Sequence, residues 1–135
     1  MKTKGAKKKP KTIGKLLANC QVHFNKFIRD RDQGLPCISC GEYKVLQAGH
    51  FFAVCGYKSL RLDEKNVHGE CEYCNCRDES HLIGYSDNIA ARIGLDELLL
   101  LKERAAEYKR GGFKWNRAEI IELTTYYREI NKLNA

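Results

Sequence analysis

Cys37-Ile38-Ser39-Cys40 and Cys71-Glu72-Tyr73-Cys74 form two C-x-x-C knuckles with thirty residues between them. Four soft thiolates prefer zinc to magnesium or calcium, and a closed four-thiolate shell leaves no open coordination position. The spacing therefore predicts one structural zinc ion held by Cys37, Cys40, Cys71 and Cys74. A redox-active pair is the rival reading, but neither knuckle lies in a βαβ pattern. Between the knuckles runs Ala48-Gly49-His50, and the second is embedded in Asn66-Val67-His68-Gly69-Glu70-Cys71-Glu72-Tyr73-Cys74-Asn75. Hydrolysis of a phosphodiester needs a group that takes a proton from the attacking water, and a cation that neutralises charge on the phosphate. A neutral imidazole at His50 suits the first task. A lone histidine is more often structural; Asn66, sixteen residues on, and Asn75, nine beyond it, single this one out.

The elements that must position these residues are short. Tyr43 to His50 reads as a strand, Phe51 to Lys58 as a loop, and Ser59 to Leu62 as a second strand. A helix is expected from about Cys71 to Glu79. Residues 35–84 would fold poorly without a staple, and zinc–thiolate binding contributes roughly 10–16 kcal/mol in small metal-folded peptides. On the N-terminal side, Ile13, Leu16, Leu17, Cys20, Phe24, Phe27 and Ile28 recur at helical spacing, with Thr12 as a cap and Gly34 and Pro36 as a stop. On the C-terminal side a short helix starts at Ser86-Asp87 and ends at Ile93. Asp96 to Lys109 follows, Gly111-Gly112 breaks it, and Asn116-Arg117-Ala118-Glu119 resembles a capping box before the last helix. Its apolar positions, Ile120, Ile121, Leu123, Tyr127 and Ile130, suit a core or a seam between two copies. The division is thus a basic disordered tail (1–11), an N-terminal helix (12–34), a zinc-bound core (35–84) and a helical region (85–135).

The pattern Leu35-Pro36-Cys37-Ile38-Ser39-Cys40-Gly41, Ala48-Gly49-His50, Asn66-Val67-His68, Cys71-x-x-Cys74-Asn75 and Arg92-Ile93-Gly94 resembles the phage NinG (Rap) recombination proteins. More broadly it resembles the HNH, or His-Me finger, nucleases. The resemblance covers roughly residues 12–95. It implies an α+β fold: a zinc-stapled ββα-metal core flanked by helices from both ends. It also implies a divalent-metal-dependent endonuclease acting on branched recombination intermediates such as Holliday junctions and D-loops, in the cytoplasm of the bacterial host. His50 would be the general base, Asn66 would tie loop to strand, and Asn75 would ligate catalytic Mg²⁺ or Mn²⁺. Many such enzymes carry an acid or histidine immediately before the base; here Gly49 stands there. Helical spacing offers Glu79, four residues after Asn75, as a second ligand. Gln47 and Asp78 are further candidates, and His68 and His81 read as phosphate-contacting or structural groups.

Charge agrees with a polyanionic partner. The net charge is +7, and residues 1–15 hold seven lysines and no acid, so the rest of the chain balances 17 basic against 17 acidic side chains. Lys7, Lys8 and Lys9 in the tail, with Lys58, Arg61, Lys65 and Arg77 around the core, are the expected phosphate contacts. Each alone is an ordinary exposed charge; as a set they favour DNA, a branched junction in particular given the resemblance. No apolar run reaches membrane-span length, and residues 1–15 lack the apolar stretch of a signal peptide. The odd count of seven cysteines argues for reduced thiols. Cys20 falls on the helical apolar face, while Cys55 and Cys76 have no assigned role. Three other readings stand beside the junction nuclease: an HNH nuclease with a different DNA target, a zinc module that binds DNA without cutting it, and a zinc-stabilised structural protein whose lysine tail is incidental.

Overall fold

A computed structural model describes residues 9–135, so Lys7, Lys8 and most of the basic tail lie outside the described residues. The elements in chain order are α1 (Ile13–Arg31), β1 (Leu46–His50), β2 (Val67–Cys71), α2 (His81–Ile93), α3 (Leu95–Gly111) and α4 (Arg117–Leu133). A 3-10 turn at Lys58–Leu60 lies between the strands, and a π-helical turn at Tyr73–Arg77 lies between β2 and α2. The fold is a small α+β arrangement around a two-stranded antiparallel sheet. Its register pairs Leu46 with Cys71, Gln47 with Glu70, Gly49 with His68 and His50 with Val67. Side chains alternate across a strand. Hence Gln47, Gly49, His68 and Glu70 share one face, and Leu46, Ala48, His50, Val67, Gly69 and Cys71 share the other.

Each face is covered by helices. α1 and α4 bury Leu17, Cys20, Phe24, Ile28, Ile120 and Tyr127 in one cluster with Leu62 and Val67. Phe24 meets Tyr127 edge-on at 5.1 Å between ring centroids. Thr12 caps α1 by accepting from the Lys15 amide, and Asn116 caps α4 by accepting from the Glu119 amide at 2.8 Å, as the capping pattern predicts. The other face meets α2, whose Tyr85 and Ile89 join Ile38, Leu60, Leu98 and Leu101 in a second cluster. At its C-terminal end α1 is tied to the sheet by Asp32, which accepts from the Gly69 amide at 2.7 Å.

β1 begins at Leu46 instead of Tyr43, and three further elements differ from the sequence reading. The second strand is Val67–Cys71, and Ser59–Leu62 enters the 3-10 turn that drives Leu60 into the core. All five β2 residues are buried, including His68 and Glu70. His68 Nδ1 and Glu70 Oε2 are met by α2 and the first knuckle, partners invisible to local propensity. The helix expected over Cys71–Glu79 shrinks to the π-helical turn. Asp78 is extended, and its carboxylate accepts from the Ser80 amide and hydroxyl, a local turn that competes with the helix. α2 then begins at His81 rather than at Ser86, so it runs through the 84/85 division. Gly84 looks like a breaker but is a packing residue. A Cβ there would overlap the Ser39 carbonyl, whose carbon lies 2.9 Å away, so only glycine lets α2 lie against the first knuckle.

Candidate functional site

The first knuckle is closed by local backbone bonds. The Cys37 amide donates to the Glu42 carbonyl at 2.8 Å, and the Gly41 amide donates to the Cys37 carbonyl at 2.9 Å. Gly41 adopts φ +76°, the left-handed conformation that follows Cys40 in this turn. The Ile38 amide donates to the Gly69 carbonyl, which pins the knuckle to β2. Cys71 at the end of β2 and Cys74 in the π-helical turn supply the second pair. All four sulfurs lie within 4.8 Å of one another, and Cys40 and Cys71 are 3.9 Å apart. Tetrahedral zinc with bonds near 2.3 Å needs sulfurs about 3.8 Å apart. Burial raises the Cys40 and Cys74 thiols, whereas at Cys37 burial is outweighed by the amides of Cys40, Cys71 and Ser39, which lower its pKa, so the fit to zinc rests on the donor type and the spacing of the sulfurs. The donor set therefore fits a closed structural zinc site. Cys20 is buried, as the helical pattern predicts, and Cys55 and Cys76 are exposed.

His50 ends β1, and its Nε2 lies 2.9 Å from the Arg61 carbonyl. A carbonyl only accepts, so the neutral ring carries its proton on Nε2 and keeps a lone pair on Nδ1. Burial lowers the His50 pKa, against the bond to the Arg61 carbonyl, which raises it. The ring is thus neutral at physiological pH, with a fixed tautomer.

Asn66 holds this arrangement. Wholly buried, it accepts from the Phe52 amide at 2.8 Å and donates to the Phe52 and Leu60 carbonyls, each at 3.0 Å. Its own carbonyl accepts from the Phe51 amide. One side chain therefore clamps the segment just after His50 to the segment just before Arg61.

On the opposite sheet face, Asn75 donates to Gln47 Oε1 at 2.9 Å. Glu79 does not share a helix face with Asn75. The π-helical turn has already ended at Arg77, and Glu79 is exposed in the irregular link before α2. Asp78 is occupied by its own turn with Ser80. The sequence pattern passes over Glu70, which is fully buried, pairs across the sheet with Gln47 and bonds to Ser39 and His81. Strand alternation puts Glu70 beside Gln47, a signal usable only once β2 is correctly placed. His68 is structural: its Nδ1 donates to the Tyr85 hydroxyl, which donates to the Gly49 carbonyl at 2.7 Å. Burial and the neighbouring Arg31 charge push the His68 pKa down to about 3.

The basic residues divide. Lys58 and Arg61 line a groove of about 510 Å³ with Lys114, Phe113 and Trp115. Arg61 is braced by Gln21 of α1 at 2.8 Å, and its carbonyl is the one that holds His50. Positive charge beside aromatic faces suits a nucleic-acid strand. Lys9 is exposed and Lys65 half-buried. Arg77 spends its charge on a surface pair with Glu72 at 3.1 Å.

The chain is similar in sequence to known phage proteins. Protein ninG of Salmonella phage P22 is 33% identical over 115 residues, covering 84% of this chain and 54% of that protein. Protein ninG of Escherichia phage lambda is 39% identical over 80 residues, covering 58% of this chain and 39% of that protein. That of Escherichia phage 933W is 40% identical over 80 residues, covering 58% and 40% respectively. The chain thus spans about half the length, or less, of these curated relatives. No solved structure matches it significantly. The profile of the family described as "Bacteriophage Lambda NinG protein" matches residues 1–134, and the chain belongs to that family.

Proposed function

We propose that this chain is a divalent-metal-dependent endodeoxyribonuclease of the HNH, or His-Me finger, type, acting on branched intermediates of phage DNA recombination. The observation that carries the reading is His50. Its Nε2 is tied to a backbone carbonyl, its Nδ1 keeps a lone pair, its pKa is lowered, and the loop around it is clamped by Asn66. That is the preparation a general base needs. Nδ1 takes a proton from the attacking water, and the resulting hydroxide displaces one ester oxygen of the phosphodiester. Mg²⁺ or Mn²⁺, when bound, neutralises charge on the phosphate and on the leaving oxygen. Asn75 would hold that ion through its amide oxygen, since its Nδ2 is turned to Gln47; Gln47 and His50 lie on opposite faces of β1, so the ion and the base would have to meet the phosphate from the two sides of that strand's end. The four cysteines would hold structural zinc and so fix β2 and the π-helical turn that carries Asn75.

Lys58, Arg61 and the lysine-rich tail supply phosphate contacts without base readout, which suits recognition of DNA shape over sequence. The target class, branched DNA, is what the resemblance to the phage recombination proteins implies. Among the described residues no helix is long and apolar enough to cross a membrane. One observation favours a second reading. Gly49 offers no ligand where related nucleases carry one, as expected of a zinc module that binds DNA without cutting it. Purified protein incubated with four-way, forked and linear DNA, with Mg²⁺, Mn²⁺ or EDTA, separates the readings. The nuclease reading expects metal-dependent cleavage of the branched substrates. Binding without cleavage under every condition would leave the second reading.

A further inference from the structure

The empty position at Gly49 has an occupant from the neighbouring strand. A Cβ built on Gly49 would overlap Glu70 Oε1 and lie 2.8 Å from Glu70 Cβ. The volume beside the residue that precedes His50 is therefore filled by the Glu70 side chain. Glu70 has no exposed surface. Its Oε2 accepts from the Ser39 hydroxyl and from His81 Nδ1, the latter at 2.6 Å, and its Oε1 has no partner. A buried carboxylate left half-satisfied is retained only where something offsets its charge.

His81 is the link to the outside. It is the first residue of α2, and its side chain is 20% exposed. In the neutral ring, Nδ1 donating to the carboxylate leaves the lone pair on Nε2. A carboxylate behind one imidazole nitrogen is the arrangement that orients histidine to bind a metal through the other. Glu70 pairs across the sheet with Gln47, and Gln47 is bonded to Asn75. His81 and Asn75 therefore each lie one contact away from the same strand pair, on the sheet face where Glu70 fills the space beside Gly49.

We propose that His81, through Nε2, ligates the divalent cation together with Asn75, and that Glu70 is the positioning residue that fixes the His81 ring and supplies the negative charge absent at position 49. The assignment rests on the nuclease reading and deepens it. It replaces Glu79 as the second ligand. Among the described residues, the four cysteines are the only cluster of three or more His, Cys, Asp or Glu side chains. The second site is therefore open, with one imidazole, one amide oxygen and waters. An imidazole ligand favours a transition ion over Mg²⁺.

The test uses zinc-loaded full chain and Mn²⁺ alone as the probe, followed by electron paramagnetic resonance. Wild type should bind one Mn²⁺ beyond the zinc, with a nitrogen coupling from imidazole in the pulsed spectrum. His81→Ala should lose that coupling and weaken Mn²⁺ affinity about 10–100-fold, and Glu70→Gln should weaken it in the same range. Zinc content and circular dichroism should stay at wild-type values in His81→Ala. If Glu70→Gln does not fold, the partly exposed His81→Ala decides alone. Retention of affinity and nitrogen coupling in His81→Ala would overturn the assignment, as would a wild-type protein that takes up no second ion. Cleavage of branched DNA by wild type keeps the two claims apart. Cleavage with an unaltered His81→Ala metal site sinks this inference only. A His81-dependent Mn²⁺ site in a protein that never cuts DNA sinks the nuclease reading only.

Discussion

Asn66→Ala removes three hydrogen bonds and leaves a methyl group in their place. The partners left bare are the Phe52 amide and the Phe52 and Leu60 carbonyls, at 2.8 to 3.0 Å from a side chain with no exposed surface. At roughly 0.5–1.5 kcal/mol net for each bond, the expected destabilisation is about 3 kcal/mol. Urea denaturation in excess zinc, followed by circular dichroism, measures it. With an m-value of about 2 kcal/mol/M, the midpoint should fall by about 1.5 M. Asn66→Asp should do no better, since a carboxylate cannot donate to the two carbonyls and would repel them. The same clamp sets His50, whose acceptor Arg61 follows Leu60 directly, so cleavage should fall in Asn66→Ala even under conditions where it is fully folded. A destabilisation below about 1 kcal/mol, or wild-type cleavage in the folded variant, would refute the clamp.

Zinc, the basic tail and the His50 titration each give a further expectation. Cys37→Ser should abolish stoichiometric zinc and unfold the core, read by elemental analysis and circular dichroism; a folded zinc-free variant would contradict the structural site. Deleting residues 1–9 removes Lys2, Lys4, Lys7, Lys8 and Lys9 but keeps the Lys11 carbonyl that accepts from Arg117. DNA affinity should then weaken and its salt dependence flatten, by about 0.9 in log–log slope for each phosphate no longer neutralised, with no change in thermal midpoint. The pH profile of cleavage should reflect the lowered His50 pKa. The neutral ring is the active form, so the rate should hold below pH about 6.5, the ordinary imidazole value, and fall only in more acid solution. An inflection above neutrality, abolished by a His50 substitution, would contradict that assignment.

What the sequence made legible was local. The knuckles are legible because a C-x-x-C turn followed by Gly41 is built from neighbouring residues, and the α1 and α4 caps because a capping side chain bonds within its own first turn. β2 is not legible. Val67-His68-Gly69-Glu70-Cys71 has weak strand propensity, and its buried polar groups are tolerated only because Tyr85, Ser39 and His81 reach them from elsewhere in the chain. Displacing β2 by several residues hides Glu70 from the site. The start of α2 is hidden by Gly84, whose use is contact with Ser39, and Glu79 is misleading because the Asp78 turn ends the helical run. His50 and Asn66 are legible as a spaced pair. The tautomer and the clamp are not, because they depend on Arg61, Phe52 and Leu60 folding back onto them.

The most direct test is cleavage of a four-way DNA junction by wild type and His50→Ala at equal zinc content. His50→Ala leaves the Arg61 carbonyl without its donor, a cost of roughly 0.5–1.5 kcal/mol, so the two proteins are compared under conditions where both are folded and bind DNA. The account predicts Mg²⁺- or Mn²⁺-dependent cleavage by wild type and a drop of about 10²-fold or more in the variant, the usual range for a general base. Equal cleavage by both proteins would contradict the account at its centre.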